Sequence, residues 1–106
     1  MSKIFINACK RDELQPGQMK RVMTPQGAVL LANVDGDYCA VDDLCTHEEV
    51  SLYLGCMRGD IIECSLHSGS FNLRTGEAVR APAEKNLRTF QTRLLGEEVQ
   101  IAIDAD

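Results

Sequence analysis

The stretch Cys45-Thr46-His47-Glu48-Glu49-Val50-Ser51-Leu52-Tyr53-Leu54-Gly55-Cys56-Met57-Arg58-Gly59-Asp60-Ile61-Ile62-Glu63-Cys64-Ser65-Leu66-His67 decides how the rest of the chain is read. It holds both histidines of the 106-residue sequence, each close behind a cysteine: Cys45-x-His47 and, after sixteen intervening residues, Cys64-x2-His67. Thiolate and imidazole are the soft and borderline donors that suit iron or zinc. Two of each leaves two candidates. One is a single tetrahedral zinc; the other is a two-iron, two-sulfide cluster with cysteines on one iron and histidines on the other. Zinc modules more often set a Cys-x2-Cys knuckle opposite a second pair, so the spacing favours the cluster.

At Cys45, His47, Cys64 and His67 the sequence resembles the Rieske-type ferredoxins and the Rieske domains of larger oxidoreductases, whose pattern is C-x-H, about sixteen residues, then C-x2-H. The resemblance covers nearly the whole chain. It implies one [2Fe-2S] cluster per chain, with Cys45 and Cys64 on the inner iron and His47 and His67 on the outer, more exposed one. It also implies a soluble one-electron carrier that takes electrons from an NAD(P)H-dependent flavin reductase and passes them to a terminal aromatic-ring-hydroxylating Rieske oxygenase. Electrons would enter and leave by the edge near the histidines. Two other readings stay open: a zinc-stabilised interaction module, and a small Rieske subunit of another redox enzyme such as nitrite reductase.

Several positions depart from relatives of this kind. Glu48 stands where many have glycine, and Ser65 where many have proline. Glu49 and Leu66 occupy the places at which the high-potential branch carries a loop-bridging disulfide, so that bond cannot form here. Gly69 and Phe71 replace the serine and tyrosine whose hydroxyls donate to cluster-side sulfur in that branch. Such donors stabilise the added charge of the reduced cluster, and their loss predicts a potential toward the lower end of the Rieske range, with Ser68 and Ser70 as substitute donors to be tested.

Composition narrows the setting. Residues 1–106 fit a single domain, 44% apolar, at the small end where a bound metal adds stability. Five cysteines and no leader-like opening stretch predict a reducing, cytoplasmic setting. Cys9 and Cys39 fall in strand-like runs and read as buried, inert thiols, while Cys56 reads equally as exposed or packed. No run approaches the apolar length of a membrane-spanning helix. A net charge of −5 argues against nucleic acid and for a basic protein partner. Asp42, Asp43, Glu48, Glu49 and Asp60 against Arg58 give an acidic segment, read as either a docking surface or ordinary solvated loop. No phosphate-binding glycine loop or dinucleotide fingerprint is present, and one nucleophile-base pair would leave the second Cys-His pair unexplained, so the chain is expected to be a monomeric electron carrier and not an enzyme.

Outside the ligand stretch the pattern is all-β. Lys3–Ala8 reads as an edge strand and Met19–Met23 as a strand, with turns at Pro16-Gly17 and Thr24–Gly27. Ala28–Val34 and Tyr38–Val41 flank Asp35-Gly36-Asp37, the clearest hairpin signal, which leads directly to Cys45. Val50–Leu54 reads as apolar cover, with Leu52 and Leu54 as candidates to shade the cluster, and Gly59–Cys64 as a turn and strand delivering the second pair. Phe71–Leu73 turns at Arg74–Gly76 into Glu77–Val79. In related ferredoxins a proline-containing loop covers the cluster where Ala81-Pro82-Ala83 stands. Leu87–Leu94 and Val99–Ile103 read as a final hairpin. The expected fold is a small Rieske-type antiparallel β sandwich or barrel, with the two ligand loops in a cluster-binding subdomain spanning about 43–83.

Overall fold

A computed structural model describes residues 2–45, 50–65, 69–81 and 83–104. His47, His67, Glu48, Glu49, Leu66, Ser68 and Pro82 lie outside the described residues. The described part is almost entirely antiparallel β. Its strands are β1 (Lys3–Lys10), β2 (Met19–Thr24), β3 (Gly27–Val34), β4 (Asp37–Asp42), β5 (Cys56–Arg58), β6 (Ile61–Glu63), β7 (Ser70–Asn72), β8 (Ala78–Arg80), β9 (Thr89–Phe90), β10 (Thr92–Leu95) and β11 (Glu98–Asp104). Single 3-10 turns lie at Arg11–Glu13 and Leu52–Leu54. Among the described residues no helix is long and apolar enough to cross a membrane.

The strands form three sheets, ordered β1-β11-β10, β2-β3-β4-β9 and β5-β6-β7-β8. The β3-β4 hairpin is where the sequence places it. Val34 pairs with Asp37, and the two residues between them, Asp35 and Gly36, both take positive φ (52° and 96°). This is the turn whose twist matches that of the strands it joins, and Asp-Gly supplies it at little steric cost. The Asn33 side chain accepts from the Gly36 N–H at 2.7 Å and donates to the Leu14 carbonyl at 2.9 Å, tying the turn to the loop before β2.

Side chains alternate faces along a strand, so a strand buried on both sides must be apolar at consecutive positions. Strand β3 is such a strand: Val29, Leu30, Leu31 and Ala32 are all fully buried. Leu30, Ala32 and Val34 join one apolar cluster with Val41, Ile62, Phe71 and Leu73, facing the β5–β8 sheet. Val29 and Leu31 join a second with Ala40, Cys9, Val99, Ile101 and Ile103, facing β1 and β11. The fold is therefore three layers, with the β2-β3-β4-β9 sheet in the middle, where the sequence pattern suggested a sandwich or barrel without the layer count.

One strand assignment is corrected. Leu87–Leu94, read as a single strand of a final hairpin, is divided at Gln91: β9 pairs with β4 in the middle sheet, and only β10 pairs with β11. The chain changes sheet there, with the Gln91 carbonyl still accepting from the Ala102 N–H at 2.8 Å. Such a corner between packed sheets has no strong sequence mark, because the residues on both sides keep strand chemistry.

The layering gives a direct test. Leu30→Ala and Leu31→Ala, although adjacent, are each expected to lower the unfolding free energy by about 2–5 kcal/mol in urea titrations. A sheet with one solvated face would give one large loss and one near-neutral change.

Candidate metal centre

The two cysteine loops are built alike. Strand β4 ends at Asp42, and three residues later the Cys45 N–H donates to the Val50 carbonyl at 2.9 Å, while Leu44 and Ser51 form an isolated bridge beneath. In the second loop the Cys64 N–H donates to the Gly69 carbonyl at 2.8 Å, above the paired residues Glu63 and Ser70 of β6 and β7. Each loop thus closes on a backbone bond from the cysteine to the residue five positions on. The histidine of each sequence pair falls inside the loop so closed, at a position outside the described residues.

The structure brings the two cysteines into one environment. Cys45 is 5% exposed and Cys64 2%, and both belong to the apolar cluster that includes Leu52, Phe71, Leu73 and Ala83. Neither forms a disulfide. Two cysteine thiols outside any disulfide, buried in the same apolar cluster at the bases of matched loops, are the donor set that a sulfur-ligated iron in a dry site requires. Phe71, fully buried, presents a ring without a hydroxyl to this cluster, as the sequence implied.

Gly55 fixes how closely the two cysteine-bearing segments approach. It ends the Leu52–Leu54 turn, and a Cβ placed on it would lie 2.0 Å from the carbonyl oxygen of Glu63, the residue before Cys64. Only glycine permits that backbone contact.

The acidic segment reads differently in three dimensions. Asp43 is not a surface charge: it is fully buried, with its carboxylate accepting from the Ser51 hydroxyl and from the Tyr53 N–H (3.0 Å), and paired with Arg21 at 3.2 Å. Asp42 is held by the Arg88 guanidinium at 3.0 Å. A docking surface built on both carboxylates is therefore excluded. Sequence reasoning missed Asp43 as a structural residue because a buried acid two places before Cys45 looks like any other member of an acidic run. Leu54 is likewise corrected. Leu52 is fully buried beside the cysteines, whereas Leu54 is 68% exposed and lies outside the apolar cluster that holds them. A 3-10 turn places residues two apart on different faces.

The remaining thiols divide cleanly. Burial pushes the Cys9 thiol above its ordinary pKa, and burial does the same for Cys39 against the opposing pull of Arg74, so both are inert packing groups. Cys56 is exposed, on the face of β5 opposite to that of Met57, which packs on the core.

The model of the Rieske [2Fe-2S] domain family matches residues 5–91, and the chain belongs to that family. Similar proteins include the biphenyl dioxygenase ferredoxin subunit of Pseudomonas sp. strain KKS102, 40% identical over 92% of this chain and 90% of its own length. The ferredoxin component of biphenyl 2,3-dioxygenase from Rhodococcus jostii strain RHA1 is 36% identical over 91% and 90%. Among solved structures, a chain of the complex of reduced oxygenase and oxidized ferredoxin in carbazole 1,9a-dioxygenase superposes with a TM-score of 0.90 at 33% identity, covering 93% of each chain. The protein is an electron carrier of the ferredoxin kind with one [2Fe-2S] cluster, not a catalyst. The zinc-module reading falls with that result.

Gly55→Ala is expected to cost at least about 2 kcal/mol by denaturant unfolding, because backbone must move away from backbone. Leu54→Ala, next to it and exposed, should stay within about 0.5 kcal/mol of the parent.

Proposed function

We propose that this chain carries single electrons from an NAD(P)H-dependent flavin reductase to a terminal aromatic-ring-hydroxylating oxygenase, with Cys45, His47, Cys64 and His67 as the ligands of its cluster. The observation that carries the reading is the matched pair of loops, each closing from a buried cysteine around the position of a histidine. Relatives that share this chain's length are ferredoxin components of dioxygenase systems, and one similar chain is a partner in an oxygenase complex, which supports the oxygenase as acceptor. The cluster, when bound, supplies a one-electron couple.

The chain's own residues do the rest. Cys45 and Cys64 hold the inner iron from within the apolar cluster, and Leu52, Phe71, Leu73 and Ala83 exclude water from the thiolate side. His47 and His67 would hold the outer iron, on the side where a partner would exchange the electron. Leu44 and Tyr53, both about half exposed, flank the first loop and offer a partner an apolar rim around that exit. Residues 43–83 act as the cluster-binding subdomain of a single domain, and the carrier works as a monomer in the cytoplasm.

Purified protein is expected to contain about two irons and two labile sulfides per chain, with a rhombic EPR signal on reduction and a midpoint in the lower half of the range of roughly −150 to +300 mV. Replacing His47 or His67 with alanine should abolish the EPR signal and stop transfer from reductase to oxygenase. Retention of both in either variant would refute the ligand assignment.

A further inference from the structure

Asp43 is the one carboxylate in the buried set of the described residues, and it sits at the meeting point of the first ligand loop with the middle sheet. Its backbone N–H donates to the Ala28 carbonyl of β3 at 3.0 Å, and its carbonyl accepts from the Leu52 N–H at 2.6 Å. Its side chain accepts from the Ser51 hydroxyl and from the Tyr53 N–H, both beyond the far end of the loop that begins at Cys45. One residue therefore grips both ends of the loop. Asp43 and Cys45 are both buried, two residues apart in the chain with the exposed Leu44 between them, which keeps the carboxylate close to the thiol. Among the described residues the cation paired with it is Arg21 of β2, which is half exposed and so partly screened by water.

We propose that Asp43 is a positioning residue for the Cys45 loop that also sets the midpoint potential, by placing a buried negative charge beside the inner-iron ligand which Arg21 partly offsets. The inference rests on the ligand reading given above for Cys45. The sign follows from charge alone. Reduction adds an electron near a fixed anion, so Asp43 disfavours the reduced form and lowers the potential, while Arg21 raises it.

The loop-closing role and the charge role separate under substitution. Asp43→Asn removes the charge while keeping the shape and one acceptor oxygen for the Tyr53 N–H, its amide NH2 donating instead to the Ser51 hydroxyl oxygen. At a fixed poise its oxidised-to-reduced ratio should fall roughly tenfold, equivalent to about 59 mV for a one-electron couple. Arg21→Gln, a surface change that leaves the loop bonds in place, should move the ratio the other way by about two- to threefold, reflecting screening, and Arg21→Lys should restore it. Ser51→Ala removes a loop bond without a charge, and should hasten cluster loss to a chelator while leaving the potential in place.

The measurement is a redox titration followed by EPR, with iron and sulfide assayed on each sample beside Cys45→Ala. If Cys45→Ala retains a full cluster, the ligand reading fails. If Cys45→Ala loses it while Asp43→Asn and Arg21→Gln keep the parent potential, the charge role of Asp43 is refuted and the ligand reading stands. Should Asp43→Asn not fold, the Arg21 pair decides alone: a downward shift reversed by lysine supports the proposal, and no shift overturns it.

Discussion

Each cysteine loop is closed by its own cysteine, whose backbone N–H reaches the carbonyl five residues ahead. This bond constrains the rest of the site. It brings the two ends of each loop together where the cysteine side chain is buried in the apolar cluster. A centre that changes charge by one electron needs ligands that move little between states, and loop bases pinned by backbone hydrogen bonds favour that. The two bases are not separately supported, because Gly55, beyond the first, lies against Glu63, the residue leading into the second.

The middle sheet makes this arrangement possible in a chain of 106 residues. Strand β3 contributes Leu30, Ala32 and Val34 to the ligand-side cluster and Val29 and Leu31 to the other, so one strand serves two cores. A two-layer sandwich would have left the β5–β8 sheet to bury its inner face, Met57, Ile62 and Phe71, against loops alone. Packing it on the already buried middle sheet gives the loops a rigid floor, and the hairpin β3-β4 that forms this floor runs directly into Cys45.

Much of this was legible in the sequence, for identifiable reasons. The Cys-His spacing is a chemical signature with few competing explanations, and Asp35-Gly36 between apolar runs specifies its turn through backbone sterics alone. The consecutive apolar residues of β3 announced a strand, yet a run buried on both sides reads the same whether it lies in two layers or three. The corner at Gln91 was hidden because a strand that changes sheet keeps its pattern. Asp43 and Gly55 were hidden for another reason. Their importance lies in what they touch across the loops, Ser51, Tyr53 and Arg21 for one and the Glu63 carbonyl for the other, and such partners are fixed only by tertiary structure.

The three layers do not depend equally on the cofactor. Strands β1, β3 and β11 have seven or eight residues, long enough to bury continuous apolar faces without help. Strands β5, β6, β7 and β8 have three each, joined by loops longer than the strands at the proposed ligands. A sheet so short gains little from its own ladder, and its stability comes from the one face it packs on the middle sheet and from whatever ties its loops together. Metal ligation is such a tie, acting on the folded state because the ligand set does not pre-exist in the unfolded chain. The longer-stranded layers form the part of the fold that stands by packing. The β5–β8 layer rests on them through Ile62 and Phe71, and its short strands are the part of the fold with most to gain from a tie between their loops.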